Sequence, residues 1–216
     1  MSTPQHMEIG KISLPFSEAF RIALEDIRRR FVRMVITAAS VILAVGFMDA
    51  LLVLAAVGTI VGGQAASLKP FQLWILFISL LVCVVGIMNS MLIAVAERTR
   101  EIGTWKCLGA LDRHVLLLFL IEAMLIGFAG GIVGWVIGLI TAFVYGLQPT
   151  IGISEILQAL LTPGSIAVPG FSALPSIIAM LVLSMLIAIS LSLIGTLYPA
   201  YRAAKLNPAE ALRYEV

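Results

Sequence analysis

The chain has 216 residues, 61% of them hydrophobic and only 12% charged, and its mean hydropathy is +1.09. That composition leaves too little polar surface for a water-soluble domain of this length, and points to an all-α integral membrane protein forming one helical domain. The net charge of +2 is unevenly spread along the chain and describes topology, not a nucleic-acid surface.

Met1 to Gly10 has no apolar run of the signal-peptide kind, so no cleaved leader is expected. FSEAFRIALEDIRRRF follows. Phe16, Phe20, Leu24, Ile27 and Phe31 recur at spacings of four, four, three and four, drawing one apolar stripe on a helix. Its Arg-rich remainder suits an interfacial helix over 16–31 lying in the headgroup layer; the alternative is a plain extension of the first span.

Four stretches are long enough to cross a hydrocarbon core, which takes about 20 apolar residues. They are Met34–Val57, Leu73–Ala96, Val115–Tyr145 and Ile177–Tyr198. The third is roughly 46 Å long at about 1.5 Å per residue, so it must tilt, break or project beyond the bilayer. Asp49 in the first span lies about 24 Å along the axis from Arg33, which puts it in the outer half. Intramembrane carboxylates are costly and face a partner or a cavity. Asp49 is thus a substrate or proton contact, a protonated or hydrogen-bonded group at a helix interface, or a group close enough to the outer surface to be wet. Glu122 in the third span reads as a hydrogen-bonding group between helices, with Asn89 and Ser90 of the second span as candidate partners. Gly127, Gly131, Gly134 and Gly138 step by four, three and four, so they share one face where another helix can approach closely. That face is self-complementary in principle, which makes a homodimer the default expectation. A bend at Gly130–Gly131 is the alternative use of these glycines.

Gly58–Phe71 is too short to hold a folded domain. The second outer connection, over 146–174, carries Pro149, Pro163 and Pro169 around SEILQALL, where a short surface helix is expected. At the C-terminus, Asn207-Pro208-Ala209-Glu210 sets an N-cap residue, Pro at the first helical position and Glu at the third, predicting a cytoplasmic helix over 208–214.

Of 14 Lys and Arg residues, only Lys69 falls in a connection assigned to the outside. The rest precede the first span, lie between the second and third, or follow the fourth. This positive-inside bias places both termini and the middle segment in the cytoplasm of a multi-pass plasma (inner) membrane protein. The middle segment, ERTREIGTWKCLGALDR over 97–113, is unusual in adding three acids and a Trp to four bases. Mixed charge around a Trp suits a specific protein contact.

Catalytic chemistry has no foothold. Ser, His and Asp are not grouped, and neither a GxSxG elbow nor a GxxxxGK[ST] phosphate loop is present. Cys83, Cys107, His6 and His114 are too scattered for a disulfide framework or a metal site. The chain is expected to be non-catalytic, with no metal and no cofactor of its own.

Two runs carry a resemblance. GIMNSMLIAVAERTREIGTWKCLGALDRHVLLLFLIEAMLIGFAGGIVGWVIG resembles the signature of FtsX-like permeases, the membrane subunits of MacB-, LolC- and LolE-type ABC transporters, and YPAYRAAKLNPAEALRYE resembles that family's C-terminal segment. The resemblance implies a four-span permease, usually dimeric, driven by two copies of a cytoplasmic ABC ATPase that binds the ATP and Mg. It further implies that Glu97, Arg98, Arg100, Glu101, Trp105 and Lys106 belong to a coupling segment docking on that ATPase, and that the second permease is an identical copy or a paralogue. The implied function is export or extraction of an amphiphilic substrate from membrane lipid. A transmembrane regulatory module acting on an extracytoplasmic partner is the alternative. Family members commonly carry a large extracytoplasmic domain where this chain has Gly58–Phe71, so the resemblance leaves that work to another subunit or to the membrane domain itself.

Overall fold

The computed structural model describes residues 31–62, 68–146, 153–162 and 175–207. The interfacial helix expected over 16–31 and the C-terminal helix expected over 208–214 lie outside the described residues, apart from the backbone of Phe31. Within them the chain is all-α. Six helices follow one another: α1 (Phe31–Gly62), α2 (Pro70–Glu97), α3 (Thr99–Cys107), α4 (Asp112–Gly146), α5 (Ile153–Leu161) and α6 (Ser176–Ala204). Helices α1, α2, α4 and α6 are long and apolar enough to cross a membrane. The short helices α3 and α5 sit at opposite ends of the bundle, as the chain order requires.

Helix α4 is the central element and packs against α1 on one side and α6 on the other, while α2 lies against α6 and α1. The 35 residues of α4 run without interruption, about 52 Å at 1.5 Å per residue. It is therefore continuous through Gly130–Gly131 and projects beyond a hydrocarbon layer of about 30 Å. The glycines are occupied by packing. A Cβ at Gly127 would meet the Ile189 backbone at 2.9 Å, and one at Gly131 would meet Ala188 at 3.0 Å, both on α6. A Cβ at Gly130 would meet Val41 at 2.8 Å, at Gly134 Val45 at 2.9 Å, and at Gly138 Asp49 at 2.5 Å, all on α1.

The shared glycine face is used twice in this arrangement, and its expected use between two copies is corrected. Steps of four, three and four advance an α-helix by about 1100°, within about 20° of three full turns, so the glycines do share one face, and two helices meet it at different depths. It seats α6 along its first half and α1 along its second. Both halves are consumed inside the chain, so the glycines are not a surface for a second copy.

Helix α6 continues to Ala204, past the expected end at Tyr198, although Pro199 lies within it. Proline removes one N–H donor but its fixed φ is helical. The turn beyond it is held by burial of Ala200, Ala203 and Ala204 against Val95, Ile102, Val115 and Phe119. At the other end, Ser176 Oγ donates to the Thr162 carbonyl at 2.7 Å, tying the start of α6 to the end of α5.

Candidate functional site

Helix α2 stops at Glu97 because Arg98 leaves helical geometry, with φ −97° and ψ 4°. Thr99 then opens α3, its hydroxyl donating to the carbonyls of Val95 and Ala96 in the last turn of α2. Glu101 in the first turn and Lys106 in the last complement the helix dipole. Gly109, at φ +96°, ends the helix in the left-handed conformation that glycine adopts without penalty. Its N–H bonds to the Lys106 carbonyl and that of Ala110 to the Trp105 carbonyl, a Schellman closure. The LGA triplet is thus the stop signal that turns the chain into α4.

The six residues of the expected docking segment divide into two sets. Glu97, Arg100 and Glu101 are exposed and, with Thr104 and Leu108, form one outward stripe at helical spacing. Leu108 is 80% exposed, an apolar tip at the end of the stripe with the exposed Leu111 close by. Arg98, Trp105 and Lys106 turn inward instead, together with the fully buried Ile102.

Arg98 is only 4% exposed and Glu122 3%. The guanidinium donates through Nη1 and Nη2 to the two carboxylate oxygens of Glu122 at 3.0 and 3.4 Å, the forked geometry that matches the two ions. Its Cζ also lies 5.8 Å from the centre of the Phe119 ring. Within the expected coupling segment Arg98 therefore turns away from the exposed stripe and ties the α2–α3 elbow to α4. The candidate partners offered for Glu122 are corrected too. Ser90 bonds to Thr37 of α1 at 2.5 Å, and Asn89 lies on the exposed face of α2.

Lys106 is half-buried and makes three contacts. Its Nζ donates to the carbonyl of Ala204 and, at 2.9 Å, to that of Leu206, and it lies 2.9 Å from Asp112 Oδ1. Leu206 and the last carbonyls of α6 are thereby held by α3 (Lys at a helix C-terminus is favourable in itself). Trp105 packs with Leu116 and Leu206 against the cluster formed by Val95, Ile102, Val115 and Phe119. Helix α3 is thereby tied to both α4 and α6 by these side chains.

Asp49 is fully buried and its Cβ rests on Gly138. Ser184 Oγ lies 2.7 and 2.8 Å from its two carboxyl oxygens and 2.6 Å from the Met180 carbonyl. One carboxyl thus links α1 to α6 across α4 in a hydrogen-bonded helix interface. Ser192 repeats the device one level along, donating to the Ala123 carbonyl at 2.7 Å. Near the α5 end an apolar crevice of about 220 Å³ opens between α1, α4 and α5, lined by Phe47, Leu51, Leu54, Val57 and Ile156 among others. Among the described residues no group of acidic, His and Cys side chains is placed to hold a metal ion.

Sequence reasoning missed the Arg98–Glu122 pair and gave Gly130 as part of a bend, where the structure packs it against Val41. The signal for the first was present: a lone acid inside α4 needs a cation, and the long Arg side chain next to the preceding span can reach it.

Comparison with known proteins fits this geometry. The model of the FtsX-like permease C-terminal family matches residues 73–208, from α2 to the end of α6. A macrolide export ATP-binding/permease protein MacB of Bdellovibrio bacteriovorus is 40% identical over 139 residues, which is 64% of this chain and 18% of that protein. The ABC transporter permease YknZ of Bacillus subtilis, itself uncharacterized, is 40% identical over 140 residues, 64% of this chain and 30% of that one. The permease MJ1507 of Methanocaldococcus jannaschii, likewise uncharacterized, is 36% identical over 146 residues, 67% of this chain and 33% of its own length. The matched segment thus spans a third or less of these relatives. With the matched segment covering well over half of its length, the chain belongs to the FtsX-like permease family of ABC transporter permeases.

Proposed function

We propose that this chain is the membrane permease subunit through which a separate cytoplasmic ABC ATPase, present in two copies, drives export or extraction of an amphiphilic substrate. The observation that carries the reading is the division of the segment from Glu97 through α3 to Leu108. Its outward stripe of Glu97, Arg100, Glu101 and Leu108 offers a mixed-charge and apolar surface for a partner. Its inward residues Arg98, Trp105 and Lys106 pass any displacement to α4 and α6. ATP and Mg belong to the ATPase, and closure of its two copies would push the α3 helices and move the spans as rigid pieces.

The positive-inside bias supports placing the α3 end and both termini in the cytoplasm of the plasma membrane. The apolar crevice at the α5 end supports an amphiphilic substrate, since it opens where the outer leaflet would lie. The exposed Leu157 and Leu161 of α5 favour a second reading, in which the same motion acts on an extracytoplasmic partner subunit and nothing is carried. Reconstitution of the permease with its ATPase in liposomes separates the two. Hydrolysis stimulated by an amphiphile, and lost in Arg100→Ala/Glu101→Ala, is the expected result. Stimulation by a protein partner alone would establish the regulatory reading.

A further inference from the structure

Two carboxyl groups are buried among the spans, and they are satisfied in different ways. Glu122 faces a guanidinium, with one Nη of Arg98 at each of its oxygens. Asp49 is fully buried, and Ser184 is its only hydrogen-bond partner among the described residues. No cation stands near it. On α1 the nearest charged residue is Arg33, about 24 Å back along the axis. On α4 the nearest charge to Gly138, where Asp49 rests, is Glu122, again about 24 Å away. On α6 the nearest titratable group to Ser184 is Tyr198, about 21 Å along, and Arg202 lies beyond it. Helix α2 presents the thiol of Cys83 to Val41, Ala44 and Val45 of α1, and Lys69, just before its start, is exposed. Tyr145 near the end of α4 and Glu155 on α5 are not cations. A buried carboxylate without a counter-charge is costly enough that such a group takes up a proton instead.

The hydrogen bonds around Ser184 count that proton independently. Its Oγ lies 2.7 and 2.8 Å from the two carboxyl oxygens of Asp49 and 2.6 Å from the Met180 carbonyl. These are O–H···O separations, and each such bond needs a hydrogen between its two oxygens. The hydroxyl has one proton, while a carbonyl and a carboxylate have none to give. With Asp49 ionised, three acceptors would press on one hydroxyl. Whichever way it turned, a lone pair on Oγ would face another oxygen at 2.6 to 2.8 Å. The conflict disappears when the hydroxyl donates to Met180, the usual bond of a helical Ser to the carbonyl four residues back, and Asp49 supplies the second proton. The carboxyl O–H then donates to Oγ. Ser192, one level along α6, meets the single acceptor Ala123 and needs no such help.

We infer that Asp49 is a proton-binding site, held as the neutral acid in the seam between α1 and α6. Closing the seam moves a proton from hydronium onto one carboxyl oxygen, leaving water and a neutral carboxyl. Parting α1 from α6 breaks that O–H bond, and the proton returns to water with the carboxylate left charged. Gly138 makes the site possible, since a Cβ there would meet the Asp49 Cβ at 2.5 Å. Any motion that separates these two helices therefore exchanges one proton with the surrounding water, whatever partner drives it.

The test uses the full chain in a non-ionic detergent. Infrared difference spectra at neutral pH, native minus Asp49→Asn, are expected to contain the C=O stretch of a protonated carboxyl, moving to lower frequency in D2O. Ser184→Ala removes the acceptor and should shift that band to higher frequency, which identifies the carboxyl even if Asp49→Asn fails to fold. Denaturation with guanidinium chloride in weak buffer, followed with a pH-indicator dye, should release about one proton more from the native chain than from Asp49→Asn. Carboxylate bands alone at neutral pH would overturn the inference, as would equal proton release from the two proteins. A protonated-carboxyl band that Ser184→Ala leaves unmoved would assign the proton to another acid and overturn it as well.

Discussion

Arg98 and Arg100 are two residues apart, both next to an acidic residue, and they have opposite fates. Arg100 is exposed, while Arg98 is shut in with Glu122. Taking one partner from a buried ion pair leaves an unpaired charge, which costs about 3–5 kcal/mol, whereas replacing both by apolar groups is far milder. Arg98→Met and Glu122→Leu should therefore each lower the thermal unfolding midpoint in detergent markedly, and the double variant should recover most of the loss. Additive losses would show that the two side chains act independently. Asp49 allows a similar distinction. In Asp49→Asn the amide can still bond to Ser184 and the fold should persist, while Asp49→Leu leaves Ser184 facing a hydrocarbon side chain and destabilises the bundle by about 1–3 kcal/mol. Loss of transport in a folded Asp49→Asn variant would give that carboxyl a direct part in carrying substrate or protons. The sequence marked Asp49 as costly without naming its partner, and for Glu122 it offered Asn89 and Ser90 where the structure has Arg98. Depth along two helices depends on how α1 and α6, and α2 and α4, slide past one another, and no periodicity records that.

The elements were legible because their signals are local. Apolar length marked the spans, Gly109 marks the end of α3, and SEILQALL had a helical pattern that α5 follows from Ile153 to Leu161. The neighbour of each face was not legible, since it is a property of pairs of helices. The α4 glycines show this: their spacing announced close packing, and only the assembled bundle divides them between α6 and α1. Gly138→Ala sets a methyl against the Asp49 Cβ and should cost about 1–3 kcal/mol, while Gly86→Ala should leave monomer stability within about 0.5 kcal/mol. Chemical denaturation in detergent micelles reads both. Lys106→Met tests α3 as a lever. It keeps the apolar stem and removes the bonds to Ala204 and Leu206, so the ATPase should still bind while its stimulation by substrate falls several-fold. Unchanged stimulation would mean that the contact with α6 transmits nothing.

On the scale of the whole molecule, charge and grease are sorted by position. Among the described residues the bundle interior is closed by glycines and a few polar groups, of which Asp49, Arg98, Glu122, Ser184 and Ser192 are engaged across a helix interface, and its outer surface is largely apolar and suited to lipid. The outward stripe of α3 departs from this plan at one end. Family membership was readable from the ERTREIG…LGA…EA run because those residues build the elbow, the cap and the buried pair of a single device. Substrate class was not readable, because an apolar crevice carries little chemical identity. The central claim is that α3 is the contact for an ABC ATPase, and gentle affinity purification from the chain's own cell membranes tests it most directly. The account predicts that an ABC ATPase accompanies the native chain and is lost from Arg100→Ala/Glu101→Ala/Leu108→Ser, a variant that leaves the inward residues untouched and the helical fold intact. Retention of the ATPase by that folded variant, or its absence from the native complex, would contradict the account.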